Sequence, residues 1–337
     1  MGTRLKDLVI AKPINTESLN GKILMVDAFN VLYQFLTSIR QRDGTLLKTS
    51  NGVVTSHVMG LFNRTAKLMQ LGLKLAFVFD GKSPELKFRE RERRSELKQK
   101  ASENYKLAKQ EGDIGAMKMY AARSSRLSHD MVNDAKVLLE ALGVPVVQAP
   151  SEGEAQAAYM VANGQGYGVA SEDYDALLFG VPRLIKGLSV SQKRKQKGIL
   201  NYKRSDIELI ELADVLNTLK ISKDQLIVLG ILVGTDFNPG GVKGIGPKKA
   251  LELVHFYGTN FDGLFSDVNW EFEHSWTDVF NIFKNIKHTD IGLEWKSPDL
   301  KRLKELLVGR FEFSEAFVMK KIESLGKGRQ QSLGAFL

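Results

Sequence analysis

"KILMVD", residues 22–27, is a short apolar run that ends in an acid, and three later runs resemble it. They are KLAFVFD (74–80), VPVVQA (144–149) and YGVAS (167–171). Each has the length of a strand and little alternation of polar and apolar residues, which is typical of strands buried on both faces. Helical patterns separate the runs, such as 127–142, which Gly143 closes. Strands that alternate with helices predict an α/β fold with a mainly parallel central sheet flanked by helices.

The second half of the chain has a different pattern, which turns helical after residue 200. DIELIELADVLNTL (206–219) and QLIVLGILVG (225–234) precede a glycine-rich corner. The longest apolar run, 226–234, is too short to span a bilayer, and the N-terminus carries no apolar signal segment. The chain has no cysteine, which excludes disulfides and thiolate metal sites and suits a reducing compartment. We therefore expect an intracellular protein without a membrane partner.

The charge of the chain is basic and unevenly distributed. Its net charge is +9, so a polyanion is the natural partner to consider. The stretch from Lys82 to Lys109 contains ten Lys or Arg and five Glu. Its surplus of five positive charges is more than half of the net charge of the chain. A solvated helix with Glu–Arg pairs would show the same run. Two smaller basic clusters, 192–198 and 242–249, favour a polyphosphate ligand instead.

Acidic side chains follow all four predicted strands, and one more follows the apolar run of the helical half. The seven residues are Asp27, Asp80, Glu152, Glu154, Asp173, Asp175 and Asp236. We call them the acidic rim. Because the carboxyl ends of parallel strands meet at one edge of a sheet, we expect these carboxylates to converge there.

Two pairs on the acidic rim are spaced two residues apart, Glu152 with Glu154 and Asp173 with Asp175. In extended chain such residues project to the same face, so each pair belongs at a strand end or the first bend beyond it. A single acid there is commonly a helix cap or turn residue, and Ser151 is itself a candidate cap. Acids after all four strands exceed what capping needs, and their repulsion indicates bound cations. Oxygen ligands without His or Cys favour Mg²⁺ or Mn²⁺ over zinc.

Two such ions about 4 Å apart are the usual apparatus for attack of water on a phosphodiester. No other nucleophilic chemistry competes in this sequence. The five histidines are scattered singly, and no GxxxxGK[ST] loop supports chemistry on nucleoside triphosphates. The residues therefore predict a metal-dependent hydrolase of phosphodiesters.

Five blocks of sequence, in this order, resemble the flap endonuclease family, the structure-specific 5′ nucleases of replication and repair, most of all its archaeal branch. They are VDAFNVLYQFL (26–36), VFDGKSPELK (78–87), APSEGEAQAAY (149–159), SEDYDALLFG (171–180) and GTDFNPGGVKGIGPKKAL (234–251). The resemblance extends over nearly the whole chain. It implies one nuclease domain over 1–325, with an N-terminal region of about 1–110 and an internal region of about 127–325.

The resemblance also implies two divalent-metal sites on the acidic rim. The first ion would be held by Asp27, Asp80, Glu152 and Glu154, and the second, partly through water, by Asp173, Asp175 and Asp236. The implied cofactors are two Mg²⁺ ions, with Mn²⁺ as an alternative.

The basic segment, by the same resemblance, is part of a helical arch over about 82–126 that closes over a single-stranded flap. Lys87 and Arg94 match arch residues that reach the scissile phosphate, and their spacing of two helical turns puts both on one face. There they would stabilise transition-state charge. Tyr33 matches an aromatic residue that stacks on the base beside the cut, although its apolar neighbours are equally typical of core packing.

GGVKGIGPKKA (240–250) matches the family's helix–two-turn–helix element, over about 223–256, which binds the duplex backbone with a K⁺ ion at the glycine hairpin. The residues suit this role, because glycine lets the backbone approach a phosphate and Pro247 suits the first helical position. The predicted contacts to DNA are Gly244, Gly246, Lys248 and Lys249. An ordinary glycine-rich connector between helices would have a similar sequence.

The C-terminus, GRQQSLGAFL (328–337), has the spacing of the family's sliding-clamp-binding peptides. Its predicted anchors are Gln330, Leu333, Phe336 and Leu337. Leu337 stands where an aromatic residue is usual, so the binding should be weaker. We expect 326–337 to be a flexible clamp-binding tail.

Together these features predict a monomeric flap endonuclease that cuts near the junction of duplex DNA and a 5′ single strand. Three alternatives stay open: a 5′ exonuclease or excision-repair nuclease of the same superfamily, a non-catalytic DNA-junction binder, and a nuclease directed at RNA. The absence of a long insertion between Lys109 and Glu152 favours the flap enzyme. The acidic rim argues against a pure binder, because a binder of a polyanion gains nothing from it.

Overall fold

A seven-stranded mixed sheet lies at the centre of the fold. The structure is a computed structural model, and it describes residues 3, 5–188, 193–195, 202–204 and 207–333. The strands are β1 (Lys12–Ile14), β2 (Ile23–Asp27), β3 (Lys74–Phe79), β4 (Val146–Gln148), β5 (Gly168–Ala170), β6 (Arg183–Lys186), β7 (Lys193–Lys195), β8 (Tyr202–Arg204) and β9 (Ile207–Glu211). β7 and β8 pair only with each other, so the remaining seven form the main sheet.

The helices fill the connections between the strands and form most of the C-terminal half. They are α1 (Ala28–Ser38), α2 (Ser56–Gln70), α3 (Phe88–Glu111), α4 (Ile114–Arg123), α5 (His129–Ala141), α6 (Gly153–Ala162), α7 (Asp175–Leu178), α8 (Leu212–Leu219), α9 (Lys223–Val233), α10 (Pro247–Tyr257), α11 (Phe261–Asp267), α12 (Trp276–Lys284), α13 (Leu300–Lys304) and α14 (Glu315–Leu333). Short 3₁₀ turns at Thr16–Leu19 and Glu85–Lys87 and a π-helical turn at Glu305–Arg310 complete the set.

The main sheet has the strand order β1-β9-β6-β5-β2-β3-β4. The five strands from β6 to β4 are mutually parallel, whereas β9 runs antiparallel to both β6 and β1. The four strands predicted from the apolar runs are β2, β3, β4 and β5, which adjoin one another. The predicted fold class, a mainly parallel sheet flanked by helices, is confirmed.

Both faces of the sheet are covered, since neighbouring residues of the six strands from β9 to β4 enter different hydrophobic cores. In β2, Leu24 and Val26 pack with α1, α2 and α5, whereas Met25 packs with α6 and α9 on the other face. All three side chains are nearly inaccessible to solvent. This burial on two sides explains why the strand reads as a continuous apolar run.

The prediction of helix over 206–219 is wrong in its first part. There the chain forms β9, and only from Leu212 does it become helical. The spacing of Ile207, Leu209 and Ile210 suits a helix, but in the sheet the first two face one core and the third faces the other. Hydrogen bonds to strands on both sides outweigh the local pattern.

α3 and α4 form a helical pair that has few contacts with the core. In α3, which spans 24 residues, the buried side chains are only Glu90, Ala101 and Ala108. The helix ends at Gly112, whose φ of +71° is the left-handed conformation that closes many helices. The basic run of the sequence is thus a projecting helix near the carboxyl end of the sheet.

Candidate active site

The acidic rim lies at the carboxyl end of the sheet, as predicted. Its members lie at the last residue of β2, directly after β3, at the start of α6, after β5, at the first residue of α7 and three residues after α9. Each of the seven carboxylates interacts electrostatically with at least one other member. The fold therefore brings together acids that are up to about two hundred positions apart in the sequence.

Backbone amides at the first turns of helices orient Asp27 and Asp80. Asp27 caps α1, where its Oδ1 accepts a hydrogen bond of 3.0 Å from the N–H of Asn30. Asp80 Oδ1 accepts a hydrogen bond of 2.7 Å from the N–H of Gly153, the first residue of α6. Capping and a role in the site therefore coexist at Asp27.

Two residues that the sequence reasoning missed, Ser171 and Thr3, also contact the acidic rim. The Ser171 hydroxyl donates to Glu154 at 2.9 Å and lies 3.3 Å from a carboxylate oxygen of Asp27. The backbone N–H of Thr3 donates to Asp175 at 2.8 Å, and the hydroxyl of Thr3 donates to the same oxygen. Ser171 adjoins the predicted acids in sequence and could have been found, whereas nothing local marks Thr3.

Burial and mutual repulsion raise the pKa values of several carboxyl groups on the acidic rim. Burial, with repulsion from Asp80, raises the pKa of Asp27 to about 7. Burial, with repulsion from Asp173, raises the pKa of Asp175 to about 8 and that of Glu154 well above its usual value. These shifts mean that ionisation of the whole set requires compensating cations.

The donor set fits hard divalent cations, because it consists of carboxylate and hydroxyl oxygens. Within the described ranges, however, no group of three or more acidic or histidine side chains already has the arrangement of a metal site. Hydrogen bonds to protein donors hold several of the oxygens, and two basic side chains hold others. A metal ion would compete with these donors for the same oxygens.

The two basic side chains are Lys87 and Arg94, which the sequence also singled out. Lys87 Nζ lies 2.5 Å from Glu152 Oε2 and 3.3 Å from Asp236 Oδ2. The Arg94 guanidinium pairs with Asp236 and, at 2.6 Å, with the buried carboxylate of Glu90. Burial alone would lower the pKa of Lys87, but the carboxylates around it raise it. The base of the α3 helix thus lies directly against the acidic rim.

Without metal ions, the free energy of unfolding is expected to fall as the pH rises from about 6.5 to about 8.5. Asp27 and Asp175, with pKa values of about 7 and about 8, keep protons in the folded state that the unfolded chain has already released. The folded state therefore binds more protons, and stability decreases with pH. Burial lowers the pKa of His57 to about 4, so its effect on stability lies below this window.

Urea unfolding in EDTA at both ends of the window measures this dependence. Adding Mg²⁺ should stabilise the protein more at the higher pH, because the ions bind ionised carboxylates. The variant Asp175→Asn should show a shallower dependence. A free energy of unfolding that increases across the window in EDTA would contradict the interpretation.

Tyr33 is a residue of α1, and its side chain points toward α3 at the edge of the core. Its side chain is half-buried, and its hydroxyl accepts a hydrogen bond of 3.2 Å from Lys98 Nζ. The same ammonium group lies 4.6 Å from the centroid of the ring. Because the ring is partly exposed, it is accessible to a nucleic-acid base, and the stacking role of Tyr33 stays a prediction.

The predicted helix–two-turn–helix corresponds to α9, a glycine-rich loop and α10. Gly244 is exposed with a φ of +78°, and Gly246 is the residue before the helix. Pro247 occupies the first turn, as expected, and Lys248 and Lys249 are exposed beside it. No side chain would obstruct an anion at Gly244 or Gly246, since a Cβ at either position would meet no atom within 4 Å.

The structure describes part of the predicted C-terminal tail. α14 continues through Leu333, so 326–333 is helical, and the flexible clamp-binding tail over 326–337 stays a prediction. The buried side chains of Val318 and Ile322 anchor the helix, and no proline interrupts it afterwards. Gln330 and Leu333 belong to this helix. Phe336 and Leu337 lie outside the described residues, and the clamp-binding role stays a prediction.

None of the described helices combines the length and the apolar character that a membrane span requires.

Comparison with known proteins matches the two halves of this site to one class of enzyme. Residues 3–101 match the XPG N-terminal domain and residues 143–236 match the XPG I-region. All seven acids lie within these two ranges. The fold and the site define a structure-specific, metal-dependent nuclease that hydrolyses phosphodiester bonds of DNA.

The relatives narrow the class further. The chain is 46% identical over 338 residues to flap endonuclease 1 of Staphylothermus marinus and 47% identical over 342 residues to that of Pyrococcus horikoshii. Each alignment covers 99% of this chain and 97% of the relative. The chain belongs to the flap endonuclease family, as the five sequence blocks predicted.

Solved structures agree with this assignment. Flap endonuclease-1 from Methanococcus jannaschii superimposes with a TM-score of 0.77 at 39% identity, covering 98% of this chain and all of that one. The catalytic core of Rad2 in complex with DNA matches with a TM-score of 0.69 at 23% identity, covering 96% and 100% of the two chains, and shares the fold.

Proposed function

We propose that this nuclease cuts DNA near the junction of a duplex and a 5′ single-stranded flap, during Okazaki fragment maturation and repair, with two Mg²⁺ ions on the acidic rim. One observation supports the proposal most strongly. Lys87 and Arg94, at the N-terminal end of α3, lie against a cluster of buried carboxylates at the carboxyl end of the sheet. Hydrolysis of a phosphodiester uses both kinds of side chain: basic groups neutralise charge on the phosphate, and carboxylates hold the metal ions.

The acidic rim would divide its carboxylates between two ions. One set is Asp27, Asp80, Glu152 and Glu154, and the other is Asp173, Asp175 and Asp236. When bound, divalent ions of this kind activate the attacking water and neutralise charge on the phosphoryl oxygens. The Ser171 hydroxyl would hold the carboxylates of Glu154 and Asp27, two members of the first set, in a common orientation. Mn²⁺ would serve as an alternative because it prefers the same oxygen ligands.

The projecting helices α3 and α4 would form an arch over the flap. When a scissile phosphate enters, Lys87 and Arg94 would exchange their carboxylate partners for phosphoryl oxygens. Tyr33 lies on α1 below this helix pair, and its half-exposed ring would stack on the base beside the cut. Stacking of this kind is worth about 1–3 kcal/mol per base.

The loop before α10 would bind the duplex at a distance from the cut. Gly244 and Gly246 are open to a phosphate, and the free amides of the α10 N-terminus together with Lys248 and Lys249 would hold it. A K⁺ ion at this hairpin would neutralise further backbone charge. The enzyme would act as a monomer and would be recruited to a sliding clamp by the C-terminal residues.

A panel of labelled substrates tests the proposal. We expect Mg²⁺-dependent incision of a 5′-flap duplex, weaker removal of 5′ nucleotides from a nicked or blunt duplex, and some incision of an RNA flap. EDTA should abolish all of these reactions. Equal cutting of single strands and flaps, or tight flap binding without incision in Mg²⁺, would contradict the proposal.

A further inference from the structure

Lys186 is a buried cation directly beside the acidic rim, and the mechanism above does not use it. It is the last residue of β6, and its side chain is only 8% exposed. Burial of an ammonium group is costly unless hydrogen bonds and opposite charge compensate it. Its neighbours show what compensates the charge.

The side-chain hydrogen bond and the ring contact of Lys186 are both with the turn that carries two of the predicted metal ligands, and the carboxylates of Glu208 and Glu154 lie near enough to interact with its charge. Its Nζ donates a hydrogen bond to the backbone carbonyl of Glu172 and lies 4.0 Å from the centroid of the Tyr174 ring. These two residues flank Asp173 on either side. The next residue of the chain, Gly187, donates its N–H to the carboxylate of Glu172 at 2.8 Å. The end of β6 therefore holds the turn at three points.

The same turn is ordered internally around Asp173. Its N–H donates to the Ser171 hydroxyl at 3.1 Å, and its Oδ1 accepts from the N–H of Asp175 at 3.2 Å. A hydrogen-bonded turn of this kind has a defined shape, and Lys186 and Gly187 connect it to the neighbouring strand. A shift of the Glu172 carbonyl would displace Asp173, the next residue, and with it the hydrogen bond that joins Asp173 to Asp175.

We propose that Lys186 is a positioning residue that sets Asp173 and Asp175 for metal binding by fixing the turn between them and β5. The inference rests on the proposed metal site at the acidic rim. Groups that orient metal ligands without touching the metal typically change metal affinity or activity by about 10- to 100-fold.

A positioning role and a purely electrostatic role predict opposite results. Lys186 is a cation among acids, so removal of its charge alone would attract Mg²⁺ more strongly to the rim. If Lys186 instead holds the turn, its removal should weaken Mg²⁺ binding, because the two carboxylates lose their common orientation. The sign of the change in metal affinity therefore separates the two roles.

The experiment compares four variants of the full chain with the wild type. Lys186→Met removes the donor and the charge, Lys186→Gln keeps a donor, and Lys186→Arg keeps both. Lys22→Met is the matched control, because Lys22 also lies over a tyrosine ring, that of Tyr167 at 5.1 Å, but just before β2 begins, at the other end of the sheet. Mg²⁺ affinity is measured by calorimetry without DNA, and kcat and KM are measured on a 5′-flap duplex.

We expect Lys186→Met to weaken Mg²⁺ binding by about 10- to 100-fold and to lower kcat with KM for the flap unchanged. Lys186→Arg should restore most of both quantities, Lys186→Gln should be intermediate, and Lys22→Met should match the wild type. If Lys186→Met does not fold, the inference is tested by the other two variants, of which Lys186→Gln should bind Mg²⁺ more weakly than Lys186→Arg. Unchanged or tighter Mg²⁺ binding in Lys186→Met than in the wild type, or tighter binding in Lys186→Gln than in Lys186→Arg, would overturn the inference. Failure of the wild type itself to bind Mg²⁺ would instead refute the proposed function.

Discussion

Replacing Asp173 by Ala is expected to reduce flap incision by about a thousandfold or more at saturating Mg²⁺. Asp173 interacts with members of both sets of acids, since its charge raises the pKa of Asp27, Glu154 and Asp175. Loss of its carboxylate should remove a metal ligand from the centre of the rim. Single-turnover rates on a labelled 5′-flap duplex measure the effect.

DNA binding by the same variant should respond in the opposite direction. Without metal ions, Asp173→Ala should bind the flap as tightly as the wild type or more tightly, because a negative charge facing a phosphate has been removed. Fluorescence anisotropy in EDTA measures this affinity. The matched control is Asp290→Ala, which removes an exposed acid bonded to Tyr159, away from the rim. Equal loss of binding and cutting would point to misfolding and would argue against the catalytic role.

Much of the fold was predictable because its signals are local. The strands β2, β3, β4 and β5 are buried on both faces, so each appears as an uninterrupted apolar run. β1 is an edge strand whose residues are largely exposed, and β6 has a basic residue at each end, so neither appears as an apolar run. β9 was mistaken for helix because the spacing of its Ile and Leu residues suits either structure, and only its pairing with β1 and β6 decides between them.

The acidic rim was also predictable, because the rule that parallel strands end at one edge converts sequence positions into proximity. What the sequence could not predict are contacts made across the fold. Thr3 reaches Asp175 over a separation of 172 positions, and Lys186 reaches a turn on a different strand. The rule places residues at an edge, but it does not say which donors hold each oxygen.

Replacing Lys87 and Arg94 together by Ala is expected to slow incision by about a hundred- to a thousandfold at saturating Mg²⁺ and DNA. Both side chains would stabilise charge that develops on the phosphate, and that stabilisation belongs to the transition state. The exposed Lys100 of the same helix is the matched control, since it points away from the face of Arg94. Lys100→Ala should weaken flap binding slightly and leave the single-turnover rate unchanged.

The ion pairs in the structure add a second expectation with the opposite sign. Lys87 and Arg94 contact Glu152 and Asp236, which are predicted metal ligands, so these cations compete with Mg²⁺ for the same oxygens. The double variant should therefore bind Mg²⁺ more tightly than the wild type in calorimetry, although it cuts more slowly. Weaker Mg²⁺ binding would mean that the two side chains support the metal site and do not compete with it. An unchanged single-turnover rate in the double variant would show that Lys87 and Arg94 do not stabilise the transition state. Only tighter Mg²⁺ binding together with slower cutting fits a pair of cations that leave the carboxylates for the phosphate.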